Sequence, residues 1–88
     1  MKMFMQNQKE NKYFRSSDFY LCCYLFAKKA VLVGLDKSNP KRAVFSFETS
    51  TELEQWVEDF WHNKAVVNPA VFVYAIKELK QQLHSDNF

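Results

Sequence analysis

The stretch from Ser16 to Leu35, SSDFYLCCYLFAKKAVLVGL, constrains the fold more than any other part of the chain. Nine consecutive apolar residues run from Phe19 to Ala27, two lysines follow, and a second apolar run closes at Leu35. The first run is too long for a typical strand and contains neither Gly nor Pro, so it reads as a helix over Ser17 to about Lys29. Ser16, Ser17 or Asp18 can accept a hydrogen bond from the free amides of its first turn. Its apolar residues do not keep to one stripe: Leu21 and Leu25 share a face, Cys22 and Phe26 lie beside it, and Tyr20, Cys23 and Tyr24 fill much of the remainder. A helix that is apolar nearly all round is covered on several sides. In a chain of 88 residues that makes it the core helix. Val31-Leu32-Val33 is β-branched and aliphatic, as a buried strand is.

The remaining elements follow from caps and periodicity. Residues 1–15 read as a loosely held arm, in which Met1 to Met5 suit a short edge strand or an amphipathic tail. Tyr13-Phe14 can staple the start of the first helix. Strand one spans about Ala30 to Leu35. The turn formers of Asp36 to Lys41 lead into Arg42 to Phe47, where Ala43, Phe45 and Phe47 alternate as the inner face of a second strand. The two strands make an antiparallel hairpin. Thr49-Ser50-Thr51 supplies caps, and both Thr49 with Glu52 and Thr51 with Glu54 fit a capping box. Leu53, Trp56, Val57, Phe60 and Trp61 then form one apolar helix face. Ala65-Val66-Val67 reads as a short extended piece that suits a third strand. Asn68-Pro69 opens a last helix running to about His84, with Phe72, Ala75, Ile76, Leu79 and Leu83 inward. The expected order is α-β-β-α-(β)-α: a single α+β domain over residues 16–84, its helices packed on a small antiparallel hairpin sheet, with residues 85–88 as a frayed tail.

Charge and chemistry narrow the function classes. The net charge is +2, but residues 1–47 carry nine Lys/Arg against three acids, and residues 48–64 carry five acids against one Lys. Such a surface is polarised rather than strongly basic. The adjacent Cys22 and Cys23 point about 100° apart on a helix, so they do not bond to each other and read as buried thiols of a cytosolic protein. The start of the chain lacks the apolar core of a signal peptide, and no apolar run is long enough to span a membrane. His62 and His84 fall near helix ends, where the dipole favours them. The cysteine spacing does not match a zinc site. Glu54 and Glu58 share a helix face without a His or a third acid to make a metal or general-base site. Gly34 sits in a strand, not a phosphate loop. No enzyme, metal or cofactor is expected.

Two binding readings remain open. The first is an accessory module that contacts nucleic-acid phosphates through Lys28, Lys29, Lys37, Lys41 and Arg42, with help from the arm, provided these residues share one surface. The second is a protein-interaction or inhibitor module that uses the acidic helix face of Glu52, Glu54, Glu58 and Asp59, or an aromatic edge formed by Trp61, Tyr20 and Tyr24. Its partner would be a host or phage protein, or a second copy in a homodimer.

A wider pattern links Ser17-Asp18-Phe19-Tyr20-Leu21, Tyr24-Leu25 and Ala27-Lys28 to Val44-Phe45-Ser46-Phe47-Glu48. It continues through Leu53-Glu54, Phe60-Trp61-His62-Asn63, Val67-Asn68-Pro69 and Ala75-Ile76-Lys77-Glu78-Leu79-Lys80. From Ser16 to about Leu83 the chain resembles a small-domain family of bacteria and their phages that has no assigned function. The resemblance implies a phage or mobile-element setting and a cytoplasmic location, and it carries no site residues. The family pattern has a Gly after the central helix, where this chain has Lys29-Ala30.

The nucleic-acid reading predicts a gel shift with mixed DNA and RNA that weakens steeply with salt and is lost on combining Lys41→Glu with Arg42→Glu. Binding that persists unchanged from low to high salt contradicts it.

Overall fold

The computed structural model describes residues 12–39 and 41–85. Six elements follow in order: β1 (Tyr13–Ser16), α1 (Phe19–Ala27), β2 (Leu32–Asp36), β3 (Val44–Glu48), α2 (Thr51–Trp61) and α3 (Pro69–Leu83). The strands form one antiparallel sheet in the order β1-β3-β2. The fold is therefore the expected single α+β domain, with one correction of strand order. The third strand is Tyr13–Ser16, inside the segment expected to be a loose arm. Ala65 to Val67 is no strand. Met1 to Met5 and residues 86–88 lie outside the described residues.

The chemistry of Tyr13–Ser16 explains the strand. Phe14 and Ser16 sit opposite Phe47 and Phe45 of β3 on the inner face, while Tyr13 and Arg15 sit opposite Glu48 and Ser46 on the outer face. Phe45 and Phe47 are fully buried, as their alternation requires. A bulge between Leu32 and Gly34 breaks the register of β2. The extra residue lets Leu32 and Leu35 both oppose buried Phe47 and Phe45, while Val33 between them is half exposed.

Helix α1 lies at the centre. Leu21, Cys22, Cys23, Tyr24 and Leu25 are all buried, and Ala27 nearly so. It packs on both other helices and on the sheet. Asp18 caps it by accepting from the Leu21 amide at 3.2 Å. Tyr24 belongs to this core and not to an aromatic edge, because Phe60 of α2 lies against its ring at 5.9 Å. Tyr20, one turn earlier on α1, is exposed.

The end of α1 shows how the chain manages without glycine. The Ala30 amide donates to the Leu25 carbonyl and the Lys29 amide to the Phe26 carbonyl, both at 3.0 Å. Lys29 lies between them at φ 80°. This is a Schellman turn with lysine at the left-handed position that glycine usually fills. Helix α2 ends the same way, with Asn63 at φ 60° and the Lys64 amide donating to the Asp59 carbonyl at 2.7 Å.

The cap of α2 is Ser50, whose Oγ accepts from the Leu53 amide at 3.0 Å. Neither threonine serves, and Thr49 is engaged elsewhere: its amide and hydroxyl both donate to the Lys12 carbonyl, at 3.1 Å and 3.0 Å. Asn68 caps α3 as expected, accepting from the Ala70 and Val71 amides.

Lys29→Gly should stabilise the domain by about 0.5–1 kcal/mol, because a side chain at positive φ costs more than the extra freedom of glycine. An unchanged or lower melting temperature would contradict the turn geometry. Phe47→Ala should destabilise by about 3–5 kcal/mol in a denaturant titration.

Candidate functional site

Among the described residues, a groove of about 600 Å³ lies between β1 and α2. Its apolar floor is Phe14, Leu53 and Val57. Its rim carries Tyr13, Arg15 and Thr49 on the strand side and Glu54 and Glu58 on the helix side. The floor exists because Leu53 and Val57 lie one turn apart on the inner face of α2. The same helical spacing sets Glu54 and Glu58 one turn apart along the rim.

One wall is a strand edge. β1 pairs only with β3 among the described residues. The Thr49 amide donates to the Lys12 carbonyl, which makes Lys12 and Thr49 a hydrogen-bonded pair. Alternation then turns the Phe14 and Ser16 backbone groups toward β3 and leaves those of Tyr13 and Arg15 facing outward. Unpaired N–H and C=O groups beside an apolar floor form a template for another extended segment.

The acidic row expected on α2 divides into two. Glu54 and Glu58 line the groove. Glu52 lines a second cleft, of about 330 Å³, with Lys28, Lys29, Glu48 and Trp56. Asp59 accepts from Gln55 Nε2 at 2.9 Å. Glu58 also stands 3.3 Å from His62 Nδ1, which lies 2.8 Å from the Glu58 carbonyl. His62 and His84 are the C-caps of α2 and α3.

The five expected phosphate-binding cations fall at three places in the fold. Lys28 and Lys29 lie at the C-terminal end of α1. Arg42 lies at the other end, where its Nε donates to Ser17 Oγ at 3.0 Å. Between them runs β2, five residues and about 16 Å long. Lys28 Nζ sits 5.9 Å from the Tyr24 ring and 6.0 Å from the Trp56 ring, with the Val66 carbonyl at 3.5 Å. Glu48 and Glu52 share its cleft. Lys37 Nζ donates to the carbonyls of Gln82, Leu83 and Ser85, closing the end of α3. Lys41 and Arg42 remain exposed on the β2–β3 loop. Asn39 Oδ1 folds that loop by accepting from the Lys41 amide at 2.9 Å. Asp36 accepts from the Ser38 amide at 2.9 Å, which holds its carboxyl below the usual range.

The buried thiols are unsuited to chemistry. Burial pushes both Cys22 and Cys23 up to about 12. Among the described residues no three His, Cys, Asp or Glu stand together to hold a metal. Nor is any helix among them long and apolar enough to cross a membrane.

The groove's strand-side residues, Tyr13, Phe14 and Arg15, are not expected at a binding site from the sequence, which assigns Tyr13-Phe14 to stapling the first helix. The signal was the alternation of Tyr13-Phe14-Arg15-Ser16, too short to stand out beside the capping residues that follow.

Cys22 and Cys23 should ignore Ellman's reagent at pH 8 in the native chain and react fully in denaturant. Their folded values lie above the ordinary 9.0. The stabilising contribution is therefore complete below pH 9 and is lost as pH rises toward about 12. Lys37→Met should cost about 0.5 kcal/mol through the lost cap on α3, read in a denaturant titration.

Comparison with known proteins finds no matching curated protein and no matching solved structure. A family model described as a domain of unknown function, DUF5659, matches residues 11–85. The match takes in all six elements and both walls of the groove, and the chain belongs to the DUF5659 family.

Proposed function

We propose that this domain is a protein-interaction module whose groove between β1 and α2 receives an extended segment of a partner protein. The observation that carries the reading is the coincidence of a strand edge unpaired among the described residues with an apolar floor and an acidic rim. Backbone pairing to Tyr13 and Arg15 would supply affinity, and alternate side chains would supply specificity. Apolar residues of the partner would rest on Phe14, Leu53 and Val57, and its basic residues would meet Glu54 and Glu58. The module is non-enzymatic in this reading, which uses recognition groups alone. A host or phage protein, in the cytoplasmic, mobile-element setting implied by the family resemblance, is the kind of partner that fits.

Contact with nucleic-acid phosphates is the second reading. Lys41 and Arg42 support it, because both stay exposed on one loop. Two cations supply a smaller electrostatic term than five would.

The test is a titration of the full chain with a short synthetic peptide alternating Val and Lys. Binding should weaken about tenfold when Glu54→Lys and Glu58→Lys are combined, since like charges then face each other across the rim. A peptide in which Glu replaces Lys should bind less well. Affinity indifferent to the Glu54/Glu58 reversal would overturn the groove assignment.

A further inference from the structure

We infer that His62 is a proton-controlled competitor for the acidic rim of the groove: its protonated imidazole takes Glu58 as an ion partner and lowers the affinity of the groove for a basic segment. The inference rests on reading the groove as the site for an extended basic segment of a partner, and it adds regulation to that site.

One carboxylate belongs to both the rim and the histidine. His62 is the C-cap of α2, one turn beyond Glu58. Its Nδ1 lies 2.8 Å from the Glu58 carbonyl oxygen and 3.3 Å from the Glu58 carboxylate. A carbonyl oxygen only accepts, so Nδ1 carries a hydrogen and donates. That fixes the tautomer of the neutral ring: Nε2 holds the lone pair, and a further proton adds there. The two side chains are 63% and 66% exposed, so a proton reaches the ring without any opening of the fold. Glu58 at the same time lines the groove together with Glu54.

The charged groups around the pair come from two elements and one turn. On α2 they are Glu54, one turn before Glu58, and Asp59, which accepts from Gln55 Nε2. Lys64 follows in the turn that closes the helix. Arg15 and Tyr13 of β1 stand on the opposite side of the groove. Among the described residues, the ion pair of Glu58 is with His62 and with no other cation.

Protonation acts twice in the same direction. It adds a positive charge at the end of the rim, which repels a basic segment. It also strengthens the hold of His62 on Glu58, the carboxylate that the segment would otherwise meet. The C-terminal end of α2 favours the charged ring. Exposed pairs at this spacing are weak, so the effect on Kd is about two- to threefold. The groove holds a basic partner above the range in which imidazole titrates and loosens as pH falls through it.

The test is a titration of the full chain with the Val–Lys peptide at about pH 8 and about pH 5.5, on either side of that range. Three chains are compared: native, His62→Gln and His62→Lys. The native chain should bind about two- to threefold more weakly at the lower pH than at the higher. His62→Gln should lose that extra weakening. His62→Lys should bind at the higher pH as weakly as the native chain does at the lower. Ionisation of every other group, His84 included, is common to the three chains, so the difference between them isolates the ring. The same pH ratio in the native chain and His62→Gln would overturn the inference. The groove assignment then stands if reversal of Glu54 and Glu58 still weakens binding. If the native chain binds at neither pH, both fail together. Nitrogen NMR of the labelled native chain gives a readout that needs no peptide: at the higher pH the ring hydrogen should sit on Nδ1. A ring hydrogen on Nε2 would overturn the inference.

Discussion

Everything in this domain depends on burying α1. Its sequence, FYLCCYLFA, offers almost no polar side for water, so the chain must surround it. Helix α3 covers one flank through Ala75 and Leu79, α2 another through Leu53 and Phe60, and the sheet closes the rest with Phe45 and Phe47. Helices therefore take one face of the sheet, and no described element covers the other. The adjacent thiols are a by-product of that burial: held far from ionisation, they serve as packing atoms.

The same demand shapes the ends of α1. Leaving the helix for β2 within a few residues needs a left-handed turn, and Lys29 adopts it although glycine would suit better. The turn sets Lys28 above Tyr24 and Trp56 and brings Lys29 beside Glu48 and Glu52. Two of the conspicuous lysines thus belong to a mixed-charge cleft. Lys37 closes the last turn of α3. Lys28, Lys29 and Lys37 are thus drawn into local structural contacts, while Lys41 and Arg42 stay exposed.

Helices and caps were legible because their signals are periodic and repeated. Asn68-Pro69, the Leu53 to Trp61 stripe and the Phe45/Phe47 alternation each tie several residues to one geometry. β1 was obscured because four residues give only two periods of alternation, and Ser16 and Asp18 already made sense as caps. The groove was illegible for the same reason, since it needs β1 as its wall. The expected cations lie at two ends of one strand: Lys28-Lys29 precede β2 and Lys41-Arg42 follow it. The acidic row divided because Glu52 and Glu54 are two positions apart on a helix and face different clefts.

The groove thus brings together, among the described residues, a strand edge, apolar surface and charge. The most direct measurement is amide chemical-shift mapping of the isotopically labelled full chain during titration with a Val–Lys peptide. The account predicts that the largest shifts fall on Tyr13, Phe14 and Arg15 and along one face of α2 from Leu53 to Glu58. Shifts centred on Lys41 and Arg42, or spread without preference over the surface, would contradict it.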